Sequence, residues 1–123
     1  MTKRTLWTLF ALLLCTGGIK AQEMPTQKEI LNTMLLTNDY FMKKWPDPSV
    51  PTNVKRIRPS NLWTRAVYYE GLMALHEIYP REDFYQYAYD WGASHKWGMR
   101  NGNTTRHADN HCCGQTYIDL YRM

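Results

Sequence analysis

The sequence predicts an all-α fold built from antiparallel helical hairpins. Three observations carry this reading. Apolar residues recur at steps of three and four in four separate stretches. Pro and Gly punctuate the connections between them, and most of these connections are short, which makes neighbouring helices antiparallel. No stretch shows the sustained alternation of a half-buried strand.

The chain of 123 residues opens with a segment outside that pattern. Lys3 and Arg4 form a positive start, Leu6 to Leu14 a short apolar run, and Ala21-Gln22 offers a small residue for cleavage. Residues 1–21 therefore read as a secretory signal peptide, and the expected location is periplasmic or secreted. The apolar run is well short of the roughly 20 residues that span a bilayer. A lipid-attachment reading centred on Cys15 is opposed by the bulky Leu14 before it.

The first helix is expected over about 26–45. Thr26 and Glu29 fit a capping box after Pro25. Leu31, Leu35, Asn38, Met42 and Trp45 form one row, with Ile30, Met34 and Phe41 beside it. Residues 46–60 carry Pro46, Pro48, Pro51 and Pro59, which excludes a regular helix or a central strand. So long a connection is often functional.

The second helix is expected over about 61–79, with Ser60 or Asn61 as its cap. Tyr68, Leu72, Leu75 and Tyr79 form one row and Val67, Gly71, Ala74 and Ile78 the next, a face wide enough for burial on more than one side. Gly71 and Ala74 are expected to permit close helix approach. Pro80 ends this helix. The third runs about 82–97, with Glu82 and Asp83 at its positive end and Phe84, Tyr87, Ala88 and Trp91 facing inward. Gly98 and Asn101-Gly102-Asn103 break it. The fourth starts near Asp109, with Cys113, Tyr117 and Leu120 on one face.

Of fifteen Lys and Arg, three (Lys3, Arg4, Lys20) fall in the leader, leaving twelve against eleven Asp and Glu, a net charge near +1. No basic stripe suggests nucleic acid, and no membrane span is expected. Beyond the leader only Cys112 and Cys113 remain; a bridge between neighbours staples no loop, so free thiols are expected. Dense aromatics and an amphipathic pattern that runs to Tyr121-Arg122-Met123 point to a larger protein, with residues 22–123 as the N-terminal portion of its domain.

The densest chemistry lies in Arg106-His107-Ala108-Asp109-Asn110-His111-Cys112-Cys113-Gly114-Gln115-Thr116-Tyr117. Alternating helix directions bring the starts of the second and fourth helices to one end, so Trp63 and Arg65 can share a cleft with His107 and Asp109, walled by the Pro-rich loop. Trp63 suits the apolar C–H face of a sugar ring, and the planar fork of Arg65 suits a carboxylate. Asp109 is either a helix cap or a site residue whose ionised form the helix dipole favours. His107 and His111 are placed as substrate contacts by their position. His107, Asp109, His111 and Cys113 have donor types for a metal. Only Asp109 and Cys113 share a helical i, i+4 spacing, and no second cluster completes four ligands, so neither metal nor cofactor is expected.

These residues resemble a known group. Asn61-Leu62-Trp63-Thr64-Arg65, Tyr69-Glu70-Gly71-Leu72-Met73-Ala74-Leu75, Tyr85-Gln86-Tyr87-Ala88 and Ala108-Asp109-Asn110-His111-Cys112-Cys113-Gly114-Gln115-Thr116-Tyr117 look like the N-terminal part of the unsaturated glucuronyl and rhamnogalacturonyl hydrolases, glycoside hydrolase families 88 and 105. The resemblance covers about residues 27–123. It implies an (α/α)6 barrel with a pocket at one end, and an oligosaccharide substrate ending in a 4,5-unsaturated uronic acid. It implies hydration of the C4=C5 bond: an Asp protonates C4, water adds at C5, and the resulting hemiketal opens to release the sugar. A paired-carboxylate scheme at the anomeric carbon would be the wrong template. Asp109 matches the first of two active-site aspartates and Trp63 an aromatic near the substrate. The main acid/base Asp is expected beyond Met123, so this stretch alone is expected to be inactive. The rivals are a helical-repeat binding module, whose fixed-period motifs are not found, and another α/α-barrel carbohydrate-active enzyme.

Overall fold

The computed structural model describes residues 23–123, and the leader read over residues 1–21 lies outside them. The described elements are α1 (Gln27–Lys44), β1 (Thr52–Val54), β2 (Arg56–Arg58), α2 (Trp63–Ile78), α3 (Glu82–Ser94) and α4 (Ala108–Arg122). The predicted all-α class holds: four helices make the body and the strands are three residues each. The helical hairpins are those expected of an α/α barrel. Among the described residues no helix is long and apolar enough to cross a membrane.

The chain divides into two units after Ile30, inside α1. In the first, Thr26 and Glu29 close the expected capping box. Thr26 N–H donates to Glu29 Oε2 at 2.8 Å and Glu29 N–H to Thr26 Oγ1 at 3.3 Å. The Thr26 backbone N–H, and then its hydroxyl, hold the Glu29 carboxyl below its ordinary range, because both donate to the ionised form.

In the second unit, residues 31–123, ring contacts fix the helix directions. Phe41 near the end of α1 stacks on Tyr68 early in α2, at 3.4 Å between centroids, while Met34, earlier in α1, borders a groove with Leu75, late in α2, so α1 and α2 run oppositely. Trp91 late in α3 stacks on Tyr69 at 3.9 Å, and Tyr85 early in α3 lies 6.3 Å from His76 late in α2. Hence α2 and α3 are antiparallel too. Trp63 and Asp109 border one cleft while Glu77 and Arg122 border another, so α2 and α4 run together. The expected inward row of α3 (Phe84, Tyr87, Ala88, Trp91) is buried, and Cys113 and Leu120 of α4 join it. Each large ring covers about 150–250 Å² of apolar surface, and favourable ring pairs add about 0.5–1.5 kcal/mol each.

Four expectations need correction. The row Val67, Gly71, Ala74 and Ile78 is open rather than packed: Ile78 is 62% exposed, and a Cβ on Gly71 would meet nothing within 4 Å. Val67 and Gly71 border an open groove shared with α1, and Ala74 one shared with the end of α4. Neither Ser60 nor Asn61 caps α2. Its N-cap is Leu62, without a side-chain cap, because the Ser60 hydroxyl is engaged by His95. Asp109 does not cap α4 either; His107 holds that position and Asp109 sits in the first turn. Finally, the Pro-rich segment holds an antiparallel hairpin, Thr52 opposite Arg58 and Val54 opposite Arg56. Lys55 turns it in the left-handed region at φ 61°. Three residues are too few to show a readable alternation, so this hairpin left no pattern in the sequence.

Helix α3 stops at Ser94, three residues short of its predicted end. The Trp97 N–H reaches Gly92 O at 3.0 Å and the Lys96 N–H reaches Ala93 O at 2.9 Å, the paired bonds of a Schellman stop. Lys96 takes the left-handed position at φ 53°, usually given to Gly. The Trp97 indole then folds back over Gly92, where any Cβ would overlap the ring.

Candidate functional site

The N-terminal ends of α2 and α4 open into one cleft of about 440 Å³. That is within the usual range for small-molecule sites, about 300–1,000 Å³. From α2 come Trp63 and Thr64, preceded by Leu62; from α4 come Asp109 and Asn110, preceded by His107. The hairpin contributes Arg56 and Arg58, and the turn after α3 contributes Arg100 and Asn101. That turn is set by Asn101 and Gly102, both left-handed, at φ 63° and 84°.

Trp63, His107 and Asp109, three of the five residues singled out in the sequence, thus meet across 46 residues of chain. Trp63 is 44% exposed, enough to present a ring face. His107 Nδ1 lies 3.9 Å from Asp109 Oδ2, and both side chains are at least half exposed. Neither α2 nor α4 has a side-chain cap, so both present free backbone N–H groups and a positive dipole end near the cleft.

The other two residues face elsewhere. Arg65 is buried and does not line the cleft; its Nη1 donates to Val50 O at 2.6 Å. The guanidinium lies 5.4 Å from the Trp45 ring centre and 5.8 Å from that of Phe41, a cationic contact in place of partners for Nε and Nη2. His111 Nε2 donates to Thr105 O at 2.7 Å. Thr105 Oγ1 also accepts from Asn110 Nδ2 at 2.8 Å, so this threonine ties the entering loop to the first turn of α4.

The Pro-rich loop is fastened along its length. Tyr87 OH donates to Trp45 O, Arg65 holds Val50 O, and Trp91 Nε1 donates to Ser60 O at 3.2 Å. Ser60 Oγ and His95 Nε2 share a 2.6 Å hydrogen bond. Burial, reinforced by the Arg65 charge, pushes the His95 imidazole below its ordinary value. The hairpin wall is therefore held by four ties to α2 and α3 or their ends.

Cys112 and Cys113 are free thiols, the second fully buried. Burial, then the Glu70 carboxylate, raises the Cys112 thiol above its ordinary range, which suits a packing group rather than a nucleophile. Among the described residues no group of three or more His, Cys, Asp or Glu could hold a metal ion.

Arg56, Arg58, Arg100 and Asn101 were missed in the sequence. The one available signal was Arg56-Ile57-Arg58, a charge repeat of two inside the loop already read as a wall. Chemically, the cleft joins an aromatic platform, one carboxylate, one imidazole and three guanidiniums. It suits an anionic ring with an apolar face. A family model described as Glycosyl Hydrolase Family 88 matches residues 33–123. No curated protein and no solved structure matches the chain. The match spans α2, α3, α4, the hairpin and every cleft residue, and the chain belongs to glycosyl hydrolase family 88.

Proposed function

We propose that this chain supplies the uronyl-binding cleft of an exported hydrolase acting on oligosaccharides that end in a 4,5-unsaturated uronic acid. The observation that carries the reading is the convergence of Trp63, His107 and Asp109 between two uncapped helix starts. Trp63 stacks on the flat face of the unsaturated ring, and the guanidiniums and free N–H groups receive its carboxylate. Asp109 accepts hydrogen bonds from the sugar hydroxyls and assists a second aspartate. That second group protonates C4 and takes the proton of the water adding at C5. The hemiketal so formed opens to a ketone and releases the next sugar. This is acid–base chemistry and requires no cofactor. Asp109 is the one carboxylate lining the cleft among the described residues, so this chain by itself binds without turnover.

The test is the binding of an unsaturated uronyl disaccharide to the 123-residue chain, read by tryptophan fluorescence and calorimetry, against its saturated counterpart. The unsaturated sugar is expected to bind more tightly, and Trp63→Ala to weaken it by up to about tenfold, one stacked ring being worth about 0.5–1.5 kcal/mol. Equal binding of the saturated sugar would overturn the reading. Loss of the ultraviolet absorbance of the conjugated bond, catalysed by this chain alone, would overturn the need for a second aspartate.

A further inference from the structure

We infer that Thr105 is the positioning residue of this cleft. Its hydroxyl and its carbonyl together clamp the first turn of α4, and the clamp sets where the Asp109 carboxylate stands. The inference rests on the uronyl reading for the ligand and goes beyond it in naming what aims the carboxylate.

Asp109 has little of its own to hold it. Its side chain is half exposed, and among the described residues its one ion pair is with His107, at 3.9 Å. The helix start beneath it has His107 at the N-cap position and no side-chain cap. The first four N–H groups of a helix have no partner within it, so an uncapped turn frays. A carboxylate that must meet its ligand to within about 0.5 Å needs a firmer base.

Thr105 supplies that base. Its Oγ1 accepts from Asn110 Nδ2 at 2.8 Å and from the His107 N–H at 3.5 Å. Its carbonyl accepts from His111 Nε2 at 2.7 Å. These partners bracket Asp109 on both sides. Asn110 and His111 leave the helix about 100° apart, so two bonds to a single residue fix both the height and the rotation of the turn. One bond alone would let it swivel. Asn110 is buried, which makes its amide costly to leave unpaired. The β-branch of Thr105 restricts the hydroxyl to few rotamers.

The clamp is itself anchored. The Thr105 N–H donates to Gly102 O at 3.2 Å, and the Gly102 N–H donates to Met99 O at 3.0 Å. Met99 packs against the core, and Tyr117 OH donates to Gly98 O at 3.4 Å. The segment after α3 therefore hangs from the body of α4 and returns to its first turn. On the way it carries Arg100 and Asn101 to the edge of the cleft. Thr105 joins the wall that bears Arg100 to the helix that bears Asp109.

Two measurements test this. The first is NMR of the 123-residue chain without ligand. With the imidazoles neutral, the His111 ring is expected to hold its proton on Nε2, read from its nitrogen shifts. An Overhauser contact is expected between the His107 ring and the Asp109 methylene. Thr105→Val keeps the shape and loses the hydroxyl, whereas Thr105→Ser keeps the hydroxyl. The contact should vanish in the first and persist in the second. A proton on His111 Nδ1 in the parent, or an unchanged contact in Thr105→Val, overturns the clamp. The His111 reading needs no variant, so it decides the clamp even where Thr105→Val fails to fold.

The second is a double-variant cycle on binding of the unsaturated uronyl disaccharide. Thr105→Val is expected to weaken binding about tenfold, the scale of one lost charge-assisted hydrogen bond. Thr105→Ser should bind like the parent. In Asp109→Ala the Thr105→Val change should cost nothing further, because a positioning residue acts through the group it positions. A merely structural residue would weaken both backgrounds alike. Additive losses, or parent-like binding by Thr105→Val, overturn the inference. If saturated and unsaturated sugars bind alike while the Overhauser contact still depends on the hydroxyl, the uronyl reading fails and the clamp stands.

Discussion

Arginine is used in opposite ways at the two ends of the Pro-rich loop. At the inner end Arg65 is buried, closes on Val50 O and lies against Trp45 and Phe41. At the outer end Arg56 and Arg58 open into the cleft and make no ion pair among the described residues. The same guanidinium is a strut in one place and a free charge in the other. What differs is the surroundings. Around Arg65, aromatic rings and a backbone carbonyl replace water. Around Arg56 and Arg58 nothing in the described fold replaces a ligand.

The comparison implies that inner positions govern stability and outer ones govern binding. The largest effect is expected from Trp91→Ala. That ring is fully buried, stacks on Tyr69 and donates to Ser60 O. Its loss should cost about 3–5 kcal/mol, measured by denaturant unfolding. Next, Arg65→Met should cost about 1–2 kcal/mol net, because the lost bond to Val50 O outweighs the relief of removing a buried charge. Amide exchange across residues 46–60 should quicken in the same variant. Unchanged exchange would break the view of Arg65 as a strut.

A smaller effect belongs to His95. Its folded value is pushed below its ordinary 6.5, chiefly by burial, so the unfolded chain binds more protons in that window. This contribution is therefore complete above 6.5 and is lost as pH falls from 6.5 towards the lowered folded value. His95→Gln should flatten that part of the stability profile, seen in melting temperature against pH. A variant with the same acid slope as the parent would remove His95 from the account. The smallest effect sharpens the contrast. Arg100→Gln, at the open end, should shift stability by no more than about 0.5 kcal/mol while weakening anion binding.

Much of this was legible beforehand, for reasons that differ by region. In α3, Phe84, Tyr87, Ala88 and Trp91 step around one helical face, and burial follows from period alone. Trp63 and Asp109 were brought to one end by alternating helix direction, before any side chain was placed. The opposite holds for Arg65. Adjacency to Trp63 suggested a shared cleft, yet two residues along a helix turn a side chain by about 200°. Arg65 therefore looks inward where Trp63 looks out. His111 is a similar case, drawn back to Thr105 O by a loop whose path no local pattern shows.

The sequence by itself determined the helices, their order and alternating directions, the capping box at Thr26 and the inward face of α3. Each depends on residues within one or two turns of each other, where backbone geometry leaves few choices. Only the tertiary structure decided which arginine became a strut and which stayed free, where Ser60 spends its hydroxyl, and that a hairpin stands in the Pro-rich loop. Those outcomes depend on which distant carbonyl, ring or carboxylate reaches each polar group first. Such partners lie 11 to 35 residues away, as with Ser60, Ser49 and His95, and no spacing rule encodes them.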